Sequence, residues 1–360
     1  MKKVFILAGE LSGDRLAAWY VQRELLNQSC IIHGIGGDLL VAQGIVLYER
    51  LERLNVSGLI EIIPALRRLL GLLRSVSRYI IEHDFDEVIV VDFPGFNMRL
   101  IKRLKRLKPT ITITYLSPPQ LWCWGAWRLK ALQRDCDRVL VIYPHEVAWY
   151  QARGLDATWV GCPVAEQLRD VAPAKGQPST TIGLMPGSRV HEMRTLLPIF
   201  LQAAKLIKQR HPEVTFVMVL APSIAPELIA AVVRRHGLES IYQSVRLVQS
   251  NEILHCCVAL SKPGTITLEL ALLGIPTIVG FKTSWLTYVV GRLLVQVNSM
   301  SLPNLLLGTM LVREHIQSAC TPEVLAQSVS DLYLSTHRAD QQYVAFMHNV
   351  NRLKNMLIAR

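Results

Sequence analysis

Short unbroken apolar runs, separated by longer stretches of helical periodicity, recur along the whole chain. In the first half they are Val4–Ala8, Ile31–Ile35, Val88–Asp92, Thr110–Tyr115 and Val139–Tyr143. In the second they are Thr181–Met185, Thr215–Leu220, Val245–Val248, Cys257–Leu260 and Thr277–Phe281. Apart from Thr110–Tyr115, they do not alternate polar with apolar residues, so they read as strands buried on both faces. Helical patterns lie between them at Asp14–Leu26, Pro64–Glu82, Glu146–Arg153, Met193–Arg210, Pro226–His236, Thr265–Leu273 and Pro322–Leu334. Such an order predicts an α/β chain with parallel sheets covered on both sides. Two sets of runs predict two doubly wound domains, and 360 residues are enough for two cores. The break is expected in Arg169–Thr180, a polar stretch rich in Pro, Ala, Ser and Thr. The expected domains are 1–170 and 181–335, with a last helix from about Arg338 to Ile358 in a tail of 336–360.

Ligands of open α/β sheets collect beyond the carboxyl ends of the strands. Four unusual clusters fall at such ends: Gly9–Asp14, Asp92–Asn97, Met185–Arg189 and Ser261–Glu269. Two belong to each half, so the working site is expected in a cleft between the domains. In the last cluster, Ser261, Lys262, Pro263 and Gly264 form a turn between a buried strand and a helix starting near Thr265. Free N–H groups at that helix tip suit a phosphate. Glu269, one turn further in, can accept hydrogen bonds from ribose hydroxyls. Together they describe a nucleotide-sugar site, although an ordinary strand–turn–helix with a solvated Glu269 fits the same pattern.

The other candidates have two readings each. Asp92, at the mouth of a strand, can take a proton from an alcohol or can fix the following turn. Glu10 is a second acid/base candidate or a turn residue, and Ser12 reads as a helix cap. Arg189 can neutralise a departing diphosphate or pair with Glu192 at the surface. Asn304 can cap a helix or bind ligand. Trp122, Trp124 and Trp127 can shape an acyl-binding surface, with at least one expected in the core.

A net charge of +11 points to an anionic partner. The seven cysteines are scattered with no CxxC pair, and the histidines show no HxxxH or HExxH spacing. We therefore expect no disulfide framework, no protein metal site and a reducing compartment. The N-terminal run Val4–Ala8 is too short for a signal peptide. No segment reaches the ~20 apolar residues a spanning helix needs. The stretch Leu59–Ile81 mixes leucines with Arg67, Arg68, Arg74 and Arg78 and has no acid after Pro64. It reads as a basic amphipathic helix for an anionic bilayer, or as a surface helix with one face in the core. A nucleic-acid reader would need a basic stripe with interleaved aromatics, which is not seen.

These clusters, in this order, resemble the lipid-A-disaccharide synthase family. The matching pieces are AGELSGD at 8–14, DFPGFN at 92–97, YLSPPQLWCW at 115–124, MPGSRVHE at 185–192, GTITLE at 264–269 and SLPNLL at 301–306. GTITLE is shared loosely by several glycosyltransferases; the combination with GE-SGD, the Trp-rich segment and SLPNLL is more specific. The resemblance implies two Rossmann-like domains facing a cleft in the GT-B arrangement. It implies an inverting, metal-independent, cofactor-free transferase on the inner face of the inner membrane. That enzyme would join UDP-2,3-diacylglucosamine to 2,3-diacylglucosamine 1-phosphate. Carried over, Asp92 would be the base, with Glu10 the other catalytic candidate. Gly13, Ser188, Arg189, Gly264, Thr265, Glu269 and Asn304 would hold substrate or UDP. The family's dimers exchange C-terminal elements, so the tail 336–360 would pack on the N-terminal domain or be exchanged in a homodimer. The chain departs from the family pattern at Leu11, Gly95 and Pro263, which bears on acceptor handling and on the diphosphate turn. The alternative is another UDP-sugar enzyme of the same fold, either an undecaprenyl-linked transferase or a UDP-GlcNAc epimerase.

Overall fold

A computed structural model describes residues 1–51, 62–171 (side chains from 67), 179–221, 224–248, 253, 255–295 and 297–358. The described residues form two compact units, Met1–Pro163 and Val164–Arg360. The division thus falls just before the polar stretch 169–180, of which 172–178 lie outside the described residues.

The first unit holds β1 (Lys2–Ala8), β2 (Cys30–Gly36), β3 (Val46–Arg50), β4 (Glu87–Val91), β5 (Thr112–Leu116), β6 (Arg138–Val141) and β7 (Thr158–Trp159). They are parallel in the order β3-β2-β1-β4-β5-β6-β7. The second unit holds β8 (Thr181–Met185), β9 (Thr215–Val219), β10 (Val245–Val248), β11 (Val258–Ser261), β12 (Thr277–Phe281) and β13 (Arg313–Ile316). Their order is β10-β9-β8-β11-β12-β13, again parallel.

Side chains along β1 alternate between two cores. Phe5 and Leu7 join one with Val88 and Val90 of β4; Val4, Ile6 and Ala8 join the other with Ile89 and Val91. A strand that feeds two cores has no polar position to spare, which is why its sequence shows no alternation. The helices Ile62–Glu82 and Pro94–Leu107 cover the first face through Val76, Ile80, Leu100, Ile101 and Leu104. Helix Leu11–Tyr20 covers the second through Leu16, Ala17 and Ala18. In the second unit, Phe216 and Met218 of β9 face the helices Val190–Arg210 and Pro322–Arg338, while Val217 faces Leu270 of helix Thr265–Leu272.

Both sheets reverse their winding once. In the first, the chain grows outward from β1 to β3, then returns to place β4 on the other side of β1. In the second, β8 to β10 run one way and β11 starts the other. These switch points, β1/β4 and β8/β11, leave a crevice at the carboxyl edge where the flanking loops part.

One expectation is corrected. Helix Leu11–Tyr20 begins before Asp14, with Glu10 at its N-cap, so Ser12 lies inside the helix and does not cap it. The last helix, Gln341–Ile358, packs on Thr265–Leu272, Leu302–Leu307 and Pro322–Arg338, all in its own unit. Its Phe346, Val350, Leu353 and Leu357 are buried.

Candidate active site

All four sequence clusters lie at the two switch points. Ala8 of β1 is in register with Val91 of β4, so Glu10 and Asp92 emerge from neighbouring strand ends. Ser261 of β11 is in register with Met185 of β8, which brings Gly187–Arg189 beside Lys262–Thr265.

On the first unit, Gly9 lies under Phe93, whose ring leaves no room for a Cβ there. Gly13 sits in the first turn of its helix, where a Cβ would be in ordinary contact with Ala8 and Val91. Asp14 is buried and accepts hydrogen bonds from Gly37 N–H (2.7 Å) and Leu39 N–H (3.1 Å). Its carboxylate thus ties the loop after β2 to the helix that follows β1. Asp92 is half-buried and, like Phe93, has φ 46°. Two successive non-glycine residues in the left-handed region store strain of about 1–3 kcal/mol each. The turn is held by its neighbours: Tyr115 Oη (2.8 Å) and Asn97 Nδ2 (2.7 Å) both donate to the Asp92 carbonyl. Ser117, after β5, is left-handed too, with φ 52°.

The Trp-rich segment divides as its sequence suggests. Trp122 is buried, and its Nε1 donates to Glu146 Oε1 (3.1 Å); Trp124 and Trp127 are exposed, with the Arg128 guanidinium 4.5 Å from the Trp124 ring centre. Burial pushes the Glu146 carboxyl up to about 7, against the hydrogen bonds from Trp122 and the Tyr143 backbone. Sequence reading missed this pairing; the signal is an acid two residues past Pro144, at the start of a helix.

On the second unit, a cavity of about 240 Å³ opens between the two clusters, walled by Gly187, Ser188, Lys262, Thr265 and Ile266. Two glycines make its floor possible. Gly187 (φ 142°) has no room for a Cβ, which would lie 2.5 Å from Glu192 Oε2; Gly264 (φ 146°) is the N-cap of helix Thr265–Leu272. Thr267 Oγ1 donates to the Gly264 carbonyl (2.7 Å) and fixes that first turn. Glu192 is the residue that organises the cavity. Its Oε2 accepts from Ser188 N–H (2.9 Å) and Arg189 N–H (3.2 Å), and its Oε1 accepts from Lys262 Nζ (3.1 Å). Burial alone would push its carboxyl up, but Lys262 and the two backbone donors outweigh that and hold it below the ordinary range. Lys262 and Glu192 thus form a half-buried ion pair. Its sequence signal was the acid three residues after Arg189, the spacing of a helix-start box.

Ser188 and Thr265 are exposed where they line the cavity, Arg189 is exposed next to Ser188, and Glu269 is half-buried a turn into its helix. Asn304 stands apart. It is buried in helix Leu302–Leu307, whose N-cap is Ser301. Its Nδ2 donates to Val312 O (2.7 Å) and Glu314 Oε1 (2.9 Å), and its Oδ1 accepts from Leu311 N–H (2.7 Å) and Val312 N–H (2.8 Å). An amide so engaged works as a clamp on the following loop. A second hollow, about 470 Å³, lies beside Thr277 and Arg313, at the amino ends of β12 and β13 and away from the clusters.

The sheet orders and the cavity fit what known proteins share with this chain. Solved structures with the same fold include the UDP-GlcNAc 2-epimerase from Neisseria meningitidis bound to UDP-GlcNAc. It has a TM-score of 0.61, with 12% identity and 100% of both chains covered. A spinosyn rhamnosyltransferase complexed with thymidine diphosphate has a TM-score of 0.55, with 12% identity, 100% of this chain and 96% of that one. At such identities the likeness shows the fold alone, GT-B. Sequence is more specific. The lipid-A-disaccharide synthase of Anaeromyxobacter sp. (strain K) is 35% identical over 359 residues, covering 97% of this chain and 92% of the relative. That of Myxococcus xanthus (strain DK1622) is 35% identical over 341 residues, 92% and 88%. The profile of the lipid-A-disaccharide synthetase family matches residues 4–357, so the chain belongs to that family of glycosyltransferases of lipid A biosynthesis.

Proposed function

We propose that the protein condenses UDP-2,3-diacylglucosamine with 2,3-diacylglucosamine 1-phosphate. The products are the β-1,6-linked lipid A disaccharide 1-phosphate and UDP. The observation that carries this reading is the gathering of the family's motif clusters at the two switch points, two on each sheet. The donor belongs to the second unit. Its diphosphate fits the cavity at the N-terminus of helix Thr265–Leu272, where free N–H groups, Lys262 and Arg189 supply positive potential. Glu269 takes the ribose hydroxyls.

The acceptor belongs to the first unit. Asp92, or Glu10 beside it, removes the proton from the acceptor's 6-hydroxyl as that oxygen attacks the donor's anomeric carbon. The bond from that carbon to the β-phosphate oxygen breaks in the same displacement, so configuration inverts and UDP leaves with the electron pair. Its charge falls on the cations and backbone donors of the cavity, and no covalent intermediate is needed. The acylated substrates place the working enzyme at the cytoplasmic surface of the inner membrane. Among the described residues, no helix is long and apolar enough to cross it.

The test is to incubate the pure protein with the two acylated sugars and weigh the product. A disaccharide monophosphate with release of UDP is expected. Turnover of UDP-GlcNAc to its 2-epimer, with no condensation, would overturn the reading.

A further inference from the structure

The chain leaves β12 at Phe281 and enters helix Trp285–Leu294, which has no buried residue. Ser284 caps it, accepting from Thr287 N–H at 3.1 Å, so it is a well-formed element. Yet its surface is oil. Trp285 is 64% exposed, Leu286 77% and Leu293 80%, and Val289, Val290, Leu294 and Val295 are exposed with them. A helix with one apolar side normally lays that side against a core or a lipid surface. An exposed patch of this kind marks an interaction surface.

Three observations say what covers it. The first is charge: from Lys282 to Val312 the sequence has Lys282 and Arg292 and no Asp or Glu, and both cations are exposed. That suits an anionic surface. The second is the aromatic pair at the first turn, Trp285 and Tyr288, edge to face at 5.7 Å. Each has an apolar ring and a polar tip, the combination favoured where headgroups meet acyl chains. The third is position. β12 is the neighbour of β11, so the helix departs from the same carboxyl edge that carries Lys262–Thr265. Helix Ile62–Glu82, the surface expected from sequence, is different: its Leu69, Leu72 and Leu73 pack against the core of the first unit. Of its leucines with described side chains, only Leu70 is exposed.

We propose that Trp285–Val295 inserts its apolar side chains into the acyl boundary of an anionic bilayer, with Lys282 and Arg292 on the lipid phosphates. This rests on the reading that the donor is an acylated nucleotide sugar. Seated this way, the diphosphate cavity lies beside the lipid from which the donor's acyl chains need not fully withdraw.

The test uses the full chain and sedimentation with phosphatidylethanolamine–phosphatidylglycerol vesicles. Changing Leu286, Val289, Val290 and Leu293 together to Ser should weaken partitioning at least roughly a hundredfold, since their apolar surface no longer leaves water. UDP affinity should stay as in the wild type, which also reports that the second unit is folded. Lys282→Gln with Arg292→Gln should remove the preference for these vesicles over neutral phosphatidylcholine ones. Equal partitioning of the serine variant and wild type would overturn the proposal. So would equal partitioning with a dimer that falls to monomers, which would make the helix a contact between copies. Failure of the wild type to form the disaccharide from detergent-dispersed substrates would count against the enzymatic reading, and vesicle partitioning would still decide on the helix.

Discussion

Asp92 and Phe93 take a backbone conformation that bulky residues avoid, and they take it at the carboxyl end of a central strand. Composition hid this: DFPGFN offers glycine at 95, yet the strain falls on 92 and 93 and Gly95 has ordinary φ. Strain held by specific donors, here Tyr115 and Asn97, is what a positioned functional group looks like. Asp92→Asn keeps the shape and removes the basicity, so turnover should fall roughly 100- to 10,000-fold with UDP affinity unchanged. If Glu10→Gln causes that loss and Asp92→Asn does not, the base is Glu10. A second pair of variants separates ligand from scaffold. Glu269→Ala should weaken UDP binding by roughly 1.5–3 kcal/mol in calorimetry without lowering the melting temperature. Asn304→Ala should do the reverse: it strands buried backbone donors, costs about 1–3 kcal/mol of stability, and leaves UDP affinity intact. Sequence could not separate these two, because an Asn in the first turn of a helix looks alike whether its amide meets ligand or backbone.

Among elements, the strands missed by sequence reading share one property. Val46–Arg50, Thr158–Trp159 and Arg313–Ile316 are all edge strands. An edge strand is partly open to solvent, so it carries Tyr48, Glu49 and Arg50, or Arg313, Glu314 and His315, and loses the unbroken apolar run that reveals its neighbours. Helix Pro94–Leu107 was missed for a related reason: five Lys and Arg residues dominate its composition, although Phe96, Leu100, Ile101 and Leu104 mark its buried face. Helix Pro144–Gln151 supplies a pH-dependent tie through Glu146. Its folded carboxyl lies near 7, above the ordinary 4.5. Between these values the folded chain holds more protons than the unfolded one, so stability falls as pH rises through that window. The shift corresponds to a loss on the order of 3 kcal/mol above it. Between about pH 5 and about pH 7.5 the wild type's melting temperature should therefore drop more steeply than that of Glu146→Gln. Parallel melting curves would assign the pH dependence to other groups.

At the scale of the molecule, the two-set pattern of apolar runs was legible because buried parallel strands cannot hide. The clusters were legible because glycines and charges break those runs abruptly at their carboxyl ends. What linear sequence could not show is which breaks become neighbours. Strand order makes residues 9–14 adjacent to 92–97 and 185–189 adjacent to 261–265, and it also brings Lys262 onto Glu192, seventy positions away. That pairing turns a lysine first read as turn composition into a cation of the cavity. If the donor nucleotide belongs to the second unit, UDP alone should slow amide exchange in β8, β11 and the helix Thr265–Leu272. At a hundredfold excess over its dissociation constant, ligand adds about 2.7 kcal/mol to the opening of the unit that binds it. The most protected amides of β8 and β11 should then exchange about a hundredfold more slowly. Those of β1 and β4 should exchange at their former rates, because UDP lacks the acceptor that Asp92 is expected to meet. Protection by UDP around Gly9–Asp14 and Asp92–Asn97, with none around Gly187 and Gly264, would move the nucleotide to the first unit and reverse the assignment of donor and acceptor.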